Sequence, residues 1–445
     1  MVEQLEQKLD SFDPAERKEA LVALCEKVSS GEIEVKPVGT DVNLHCHTFF
    51  SYNAYGYSPS KFAWLAKKSG IAVAGIVDFD VLDALDEFEE ARRLLGLKGC
   101  AGMETRVFVQ EVADKVINSP GEPGISYHMG VGFPSSKLEG TQKEFLLNLR
   151  KTAQQRNREL MGRVNAYLDQ VTLDYEKDVQ VLTPAGNATE RHMCAAYARK
   201  AREVFGDDKK VAQFWSEKLG VAVDVSMLPE SRELTNAIRA KTMKRGGVGY
   251  VQPNRGSFPE LLATNEFLLA AGAIPTWTWL DGTSDGEQDI ESLLDVAMEA
   301  GSAAINVIPD RNYTVGSQDE KLVNLYKVVE VAERRNLPIV VGTEMNSPGQ
   351  KFVDDFSTTE LSPLVPILLK SAHVFYAHSV LQKQCGLGYM STWASRNFPD
   401  VIEKNRFFEQ VGRMLSVGRE DDLCELDENT SPQELLNLVT ASSKT

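Results

Sequence analysis

From Asp41 onward the chain alternates short β-branched runs with amphipathic stretches, and that rhythm constrains the fold more than any other feature. Val42 to Cys46 reads as a strand, Pro59 to Ser69 as a helix, Ile71 to Val77 as a strand and Leu82 to Leu95 as a helix. Gly99 to Val109 and Tyr127 to Phe133 are strands again. The pattern resumes with Ala273 to Trp279, Ala303 to Ile308, Ile339 to Thr343 and Val374 to Ala377, separated by helical patterns at Ile290–Ala300 and Lys321–Arg335. Repeated strand and helix predict an α/β fold with a parallel sheet or a barrel, and ligands at the carboxyl ends of the strands.

Two stretches break the rhythm. Residues 1–36 form a helical preface: Asp13-Pro14 is a cap and first-turn signal, and Leu21, Leu24, Cys25 and Val28 make a stripe at helical spacing. Between 140 and 250 the strand signal vanishes, and Gln142–Leu168, Arg191–Val204 and Ser231–Lys244 read as charged helices. The expected organisation is a barrel over 37–380, a helical insertion at 140–250, and a C-terminal extension over 381–445. That extension should hold a short helix at Pro432–Leu438 and loose final residues.

The net charge is −16. Long nucleic acid and anionic membrane are therefore poor partners, whereas a small phosphorylated substrate remains compatible with a local cation or arginine. The first residues lack the basic and apolar regions of a signal peptide, and the sequence predicts no run that approaches a membrane span. The six cysteines are widely spaced, with no CxxC pair. These features predict reduced thiols and a cytoplasmic protein. The sequence leaves the oligomeric state open.

Chemistry gathers at the strand ends. Side chains repeat every second residue in a strand, so His45 and His47 share a face at the end of the first. Asp78 and Asp80 end the second; Glu104 and Arg106 share a face near the end of the third; His128 opens the fourth; Glu344 follows Val340-Val341-Gly342-Thr343. In a barrel these ends meet at one rim, and two histidines with two carboxylates suit Zn, Mn or Fe as a divalent ion. Each also has a plain alternative: Glu104 can pair with Arg106 or Lys98, and a lone His128 is more often a satisfied core residue.

The ordered motifs resemble the PHP (polymerase and histidinol phosphatase) domain: Asn43-Leu44-His45-Cys46-His47-Thr48, Ser58-Pro59, Ile76-Val77-Asp78-Phe79-Asp80, Gly102-Met103-Glu104, Tyr127-His128-Met129-Gly130 and Gly342-Thr343-Glu344-Met345-Asn346. Arg156-Asn157-Arg158 and Thr189-Glu190-Arg191-His192 resemble the helical insert of its branch that acts on nucleotides and short RNA. The resemblance implies a distorted seven-stranded β/α (TIM-like) barrel with metals at the carboxyl rim. It assigns His45, His47, Glu104 and Glu344 to one metal, and Glu104 with His128 to a weaker second, with Asp281 as a further oxygen donor. It assigns Arg106, Arg191 and His192 to the substrate. Tyr52, Phe79, Thr278 and Asn346 stand where that family carries further ligands, so the expected cofactor is one or two ions. The implied activity is a phosphoesterase using a metal-bound hydroxide on a small phosphorylated metabolite or nucleotide. The alternatives are a metal-dependent hydrolase of a C–N or C–O bond, in which Trp277, Trp279, Phe79 and Tyr52 could line an aromatic pocket, and a non-catalytic ligand-binding relic.

Overall fold

The computed structural model describes residues 2–313 and 320–441. The expected loose C-terminal residues lie outside this range. Seven strands form one sheet in chain order: β1 (Val42–Cys46), β2 (Val73–Phe79), β3 (Gly99–Phe108), β4 (Ile125–Val131), β5 (Ile274–Thr278), β6 (Ala304–Val307) and β7 (Ile339–Val341). β1 and β5 are buried along their whole length. Polar residues alternate with apolar ones along both, Asn43 and His45 on β1 and Thr276 and Thr278 on β5, so one face of each strand carries its polar groups. The sheet curls until its edges meet. His47 N–H donates to the Glu344 carbonyl at 2.8 Å, and Glu344 N–H donates to the His45 carbonyl at 2.8 Å. The result is a mixed seven-stranded sheet nearly closed into a barrel.

The pairing departs from the all-parallel expectation at one strand. β4 runs antiparallel to both β3 and β5. The segment between β3 and β4 holds only a 3₁₀ turn at Gln110–Val112. It carries no crossover helix among its described residues, so the chain turns straight back. The start of β4, not its end, therefore lies at the carboxyl rim.

Four helices, α1 (Val2–Lys8), α2 (Pro14–Ser29), α3 (Pro59–Ser69) and α4 (Leu85–Leu94), share a hydrophobic cluster with β1–β3. Asp13 caps α2 by accepting from Ala15 N–H, and Ser58 caps α3 by accepting from Lys61 N–H. The insertion supplies α5 (Gly140–Leu168), α6 (Glu190–Phe205), α7 (Asp208–Leu219) and α8 (Arg232–Thr242). These pack on a core of their own, around Val164, Met193, Tyr197, Trp215 and Ile238. Helices α9 (Leu261–Ala270), α10 (Ile290–Glu299), α11 (Pro309–Asn312) and α12 (Glu320–Arg334) accompany β5–β7.

The C-terminal region corrects two expectations. Val374–Ala377 is not a strand but part of α13 (Val365–Cys385). That helix also runs unbroken through the expected boundary at 380. It is buried on most sides, so it lacks the one-sided stripe that identifies a surface helix. The segment Ser362–Cys385 is also long and apolar enough to cross a membrane, contrary to the sequence reading, and 67% of its most apolar window is buried in the fold. α13 touches β1, β2, β3 and β7. His378 fills the space beside Gly132, whose φ of +83° and lack of a Cβ allow the close approach. α14 (Thr392–Asn397), α15 (Val401–Met414) and α16 (Pro432–Ala441) complete the chain and share the hydrophobic cluster of β4–β7.

Candidate metal centre

His45, His47 and Glu104 converge inside the barrel mouth. Their ligand atoms lie within 4.8 Å of one another, and all three residues are buried. Glu104 Oε2 stands 3.3 Å from His47 Nε2 and 3.8 Å from His45 Nε2. His45 on β1 and His47 just past its end, held extended by its N–H bond to the Glu344 carbonyl, turn to the same face, and the β2–β3 register sets Glu104 beside Phe79.

The outer nitrogens are held from behind. Asn306 Oδ1 lies 3.1 Å from His45 Nδ1. Ser51 Oγ lies 3.2 Å from His47 Nδ1, and the Ser51 hydroxyl donates to Asp78 Oδ1 at 2.5 Å. Asp78 is itself fixed by Thr48 N–H at 2.8 Å and the Thr48 hydroxyl at 2.6 Å. With the Ser51 proton given to Asp78, Ser51 accepts from His47 Nδ1–H. The Asn306 carbonyl oxygen does the same for His45. Both Nε2 atoms then carry bare lone pairs. Such buttressing of the far ring nitrogen is how proteins orient metal-binding histidines.

His45 Nε2, His47 Nε2 and Glu104 Oε2 are buried without a hydrogen-bond partner, and so are Thr278 Oγ1 and Asn306 Nδ2 nearby on β5 and β6. Buried polar atoms are normally paired. Two neutral imidazoles and one carboxylate, bare and convergent, fit a divalent ion of the zinc, manganese or iron type. Burial raises the Glu104 carboxyl, but where a proton rather than a cation lies between the three groups, His45 and His47 outweigh burial and hold it at about 2. Burial lowers His45, yet the Glu104 carboxylate more than reverses this and raises it.

Other expected ligands go elsewhere. His128 faces away from the centre. Opposed residues of an antiparallel pair share a face, and His128 pairs with Thr105 whereas Glu104 pairs with Met129. His128 Nε2 meets Asn265 Oδ1 of α9 at 2.6 Å, and burial pulls its pKa down to about 4. The second-ion set of Glu104 with His128 is therefore not assembled. Asp281 is bound to Lys321 at 2.8 Å and to the Thr283 hydroxyl at 2.6 Å. Glu344 sits at the barrel seam, but its carboxylate is engaged by Arg311 at 3.4 Å and Gln350 at 3.1 Å. Glu344 and Met345 hold left-handed backbone, with φ of +60° and +53°. Non-glycine residues in that conformation concentrate at functional sites.

A cavity of about 670 Å³ opens above the centre, between the rim and the insertion. The three convergent residues do not line it. Phe79 connects the two: its ring stacks on His47 with centroids 4.3 Å apart, and it lines the cavity. Tyr52, Asp80, Arg106, Arg191 and Asn346 line it as well. Trp277 and Trp279 lie in the apolar core instead, so no four-residue aromatic pocket forms. His192 is also absent from the lining. It completes a capping box with Thr189 at the start of α6 and packs edge-on against Tyr52 at 5.0 Å. Burial lowers its pKa to about 3.

The cavity wall is rich in cations. Arg106 binds Glu122 at 2.9 Å, and Arg239 and Lys244 share Glu190, each at 2.9 Å. Four further arginines of the wall, Arg156, Arg163, Arg191 and Arg232, have no carboxylate partner among the described residues. Arg156 donates to the Ser257 carbonyl at 2.8 Å, Arg163 to the Gly249 carbonyl at 2.7 Å and Arg191 to Asn236 at 2.6 Å. Arg106 and Arg156 each lie 4.3 Å from the Phe258 ring. Burial, with Arg106 nearby, lowers Arg156 to about 10. Sequence reasoning missed Tyr127, Asn306, Arg156, Arg239 and Arg311. Tyr127 and Arg156 stand in motifs quoted above for their neighbours; the other three stand in none.

No family model matches this chain, and no curated protein does. Among solved structures, an amidohydrolase from Chromobacterium violaceum with bound sulfate and no metal aligns at TM-score 0.51 and 16% identity, over 74% of this chain and 96% of that one. A protein from Bifidobacterium adolescentis, provisionally named a metal-dependent phosphoesterase, aligns at TM-score 0.49 and 16% identity, over 73% and 96%. What this chain shares with the amidohydrolase at that distance is the α/β barrel fold.

Proposed function

We propose that this chain is a metal-dependent hydrolase of the PHP type, acting on the phosphoester of a small phosphorylated metabolite or nucleotide. The observation that carries the reading is the convergence of three bare, buried donors, His45 Nε2, His47 Nε2 and Glu104 Oε2, beneath a cavity walled by arginines. One divalent ion fits the donor set. When bound, it supplies Lewis acidity and lowers the pKa of water.

The remaining roles belong to the protein. Asn306, Ser51 and Asp78 orient the imidazoles. Arg106 and Arg191 bind the anionic group, because a guanidinium fork matches phosphate oxygens. Phe79 keeps bulk water from His47. His192 serves the reading only indirectly, by capping the helix that presents Arg191.

A second reading has an observation of its own. The three donors are sealed from the cavity, with Phe79 over His47, as suits a barrel that binds an anionic ligand without turning it over. Metal content after incubation with excess Mn²⁺ or Zn²⁺, followed by a panel of phosphomonoesters, nucleotides and amides, separates the readings. About one ion per chain with phosphate release supports the hydrolase. Amide turnover alone would reassign the chemistry to C–N bonds. Ligand binding with no turnover supports the binder, and absence of metal uptake sinks the hydrolase.

A further inference from the structure

Tyr127 occupies the inward position that the sequence reading gave to its neighbour. The β3–β4 register sets it opposite Arg106, on the face of Glu104. Its backbone is fixed by a side chain: Asn118 Oδ1 accepts from Tyr127 N–H at 2.7 Å, and Asn118 Nδ2 donates to the Thr278 carbonyl at 2.7 Å. That amide adds one rung to the β4–β5 ladder, which otherwise ends at His128 and Trp277. The Tyr127 ring lies 6.2 Å from that of Phe79 and lines the cavity.

The phenol is the unusual part. Its hydroxyl meets no protein partner among the described residues, yet it is not one of the sealed unpaired atoms. It is therefore open to the cavity. Arg106 and Arg239 pull its pKa down and Glu104 and Glu190 push it up, so groups of both charges are near it. A half-buried tyrosine normally gives its hydroxyl a partner. Here the free donor stands where the carboxylate end of the centre meets the arginine wall.

We infer that the Tyr127 hydroxyl donates a hydrogen bond to an anionic oxygen of the bound substrate, beside Arg106. The substrate would thus be gripped by a neutral donor next to the charged ones, and Tyr127 is a catalytic residue in the sense that it touches the substrate. Burial raises the phenol's pKa against the opposing pull of Arg106, so it keeps its proton at neutral pH. The inference rests on reading the cavity as a phosphate site.

The test is calorimetric titration of the full chain, pre-incubated with Mn²⁺, with inorganic phosphate. Tyr127→Phe keeps the ring and removes only the donor. It should weaken phosphate about tenfold or more, as loss of a hydrogen bond to a charged group does, with unchanged manganese content and melting temperature. Phosphate should also perturb tyrosine absorption in the wild type and not in the variant, a response that a purely structural role would not give. His128→Gln, on the outward face, should bind phosphate as the wild type does. Equal affinity in wild type and Tyr127→Phe overturns the inference, and so does absence of phosphate binding in the wild type. If the tenfold difference appears but no phosphoester is hydrolysed, the Tyr127 contact stands and the hydrolase reading falls.

Discussion

The barrel rim and the helical insertion face each other across one cavity, and each handles buried charge differently. At the rim, His45 and Glu104 sit on strands and His47 directly follows β1, all sealed from solvent, and the outer nitrogen of each imidazole is held by a second residue. On the insertion, Arg156, Arg163 and Arg191 sit on helices at the ends of long side chains, anchored by carbonyl or amide groups. The rim has fixed geometry and few alternatives. The insertion has a positive field spread over several groups. A point-like ion suits the first, and an extended anion suits the second. The two halves should therefore fail separately.

The largest expected effect is at the rim. Glu104→Ala or His47→Ala should reduce Mn²⁺ or Zn²⁺ affinity by more than the roughly 100-fold that outer-sphere losses reach. Asn346→Ala should leave it unchanged. Elemental analysis of the three proteins decides this, and equal loss in all of them would place the ion elsewhere.

Next comes Glu190, the carboxylate that holds Arg239 and Lys244 on the insertion side. Burial would raise its pKa, but Lys244 and Arg239 outweigh that and hold it at about 2 against an ordinary 4.5. A lowered carboxyl contributes stability that is present above 4.5 and lost as pH falls toward 2. Glu190→Gln should cost up to about 3 kcal/mol near neutral pH, with the gap to wild type closing between pH 4.5 and 2. Urea unfolding across that range measures it, and a gap that persists at pH 2 would refute the account. Phosphate affinity should rise in the same variant.

Ser51→Ala should weaken metal binding about 10- to 100-fold, because His47 loses the group that sets its tautomer. Smallest is Arg156→Gln, expected to weaken phosphate about threefold with metal content unchanged. A metal defect in Arg156→Gln, or a phosphate defect in Ser51→Ala beyond its metal defect, would show that the two halves are coupled.

The sequence made the rim's ligands more legible than their surroundings. Period-two alternation places His45 and His47 on one face wherever their strand lies, and Glu104 could be set beside them from strand order alone. The reversal of β4 could not be seen, because a short apolar run reads the same in either direction. Tyr127 and His128 are adjacent, and only the register with β3 decides which one turns inward. His192 was expected at the substrate because a motif contained it. Its position three residues after Thr189 equally signals a helix cap. Asn306, Arg239 and Arg311 carry no local pattern, since their roles depend on which distant elements face them. α13 was misread in part because full burial erases its periodicity.

The unpaired atoms inside the barrel mouth also bear on how long the protein lasts. Each buried polar atom left without a partner costs on the order of 1–3 kcal/mol, and three that can ligate a cation lie together: His45 Nε2, His47 Nε2 and Glu104 Oε2. A cation that binds the folded chain and not the unfolded one stabilises it by about 2.7 kcal/mol at a hundred times its dissociation constant. Metal supply would then set the folded fraction as well as any activity, and the thermal midpoint would report ion occupancy before a substrate is known.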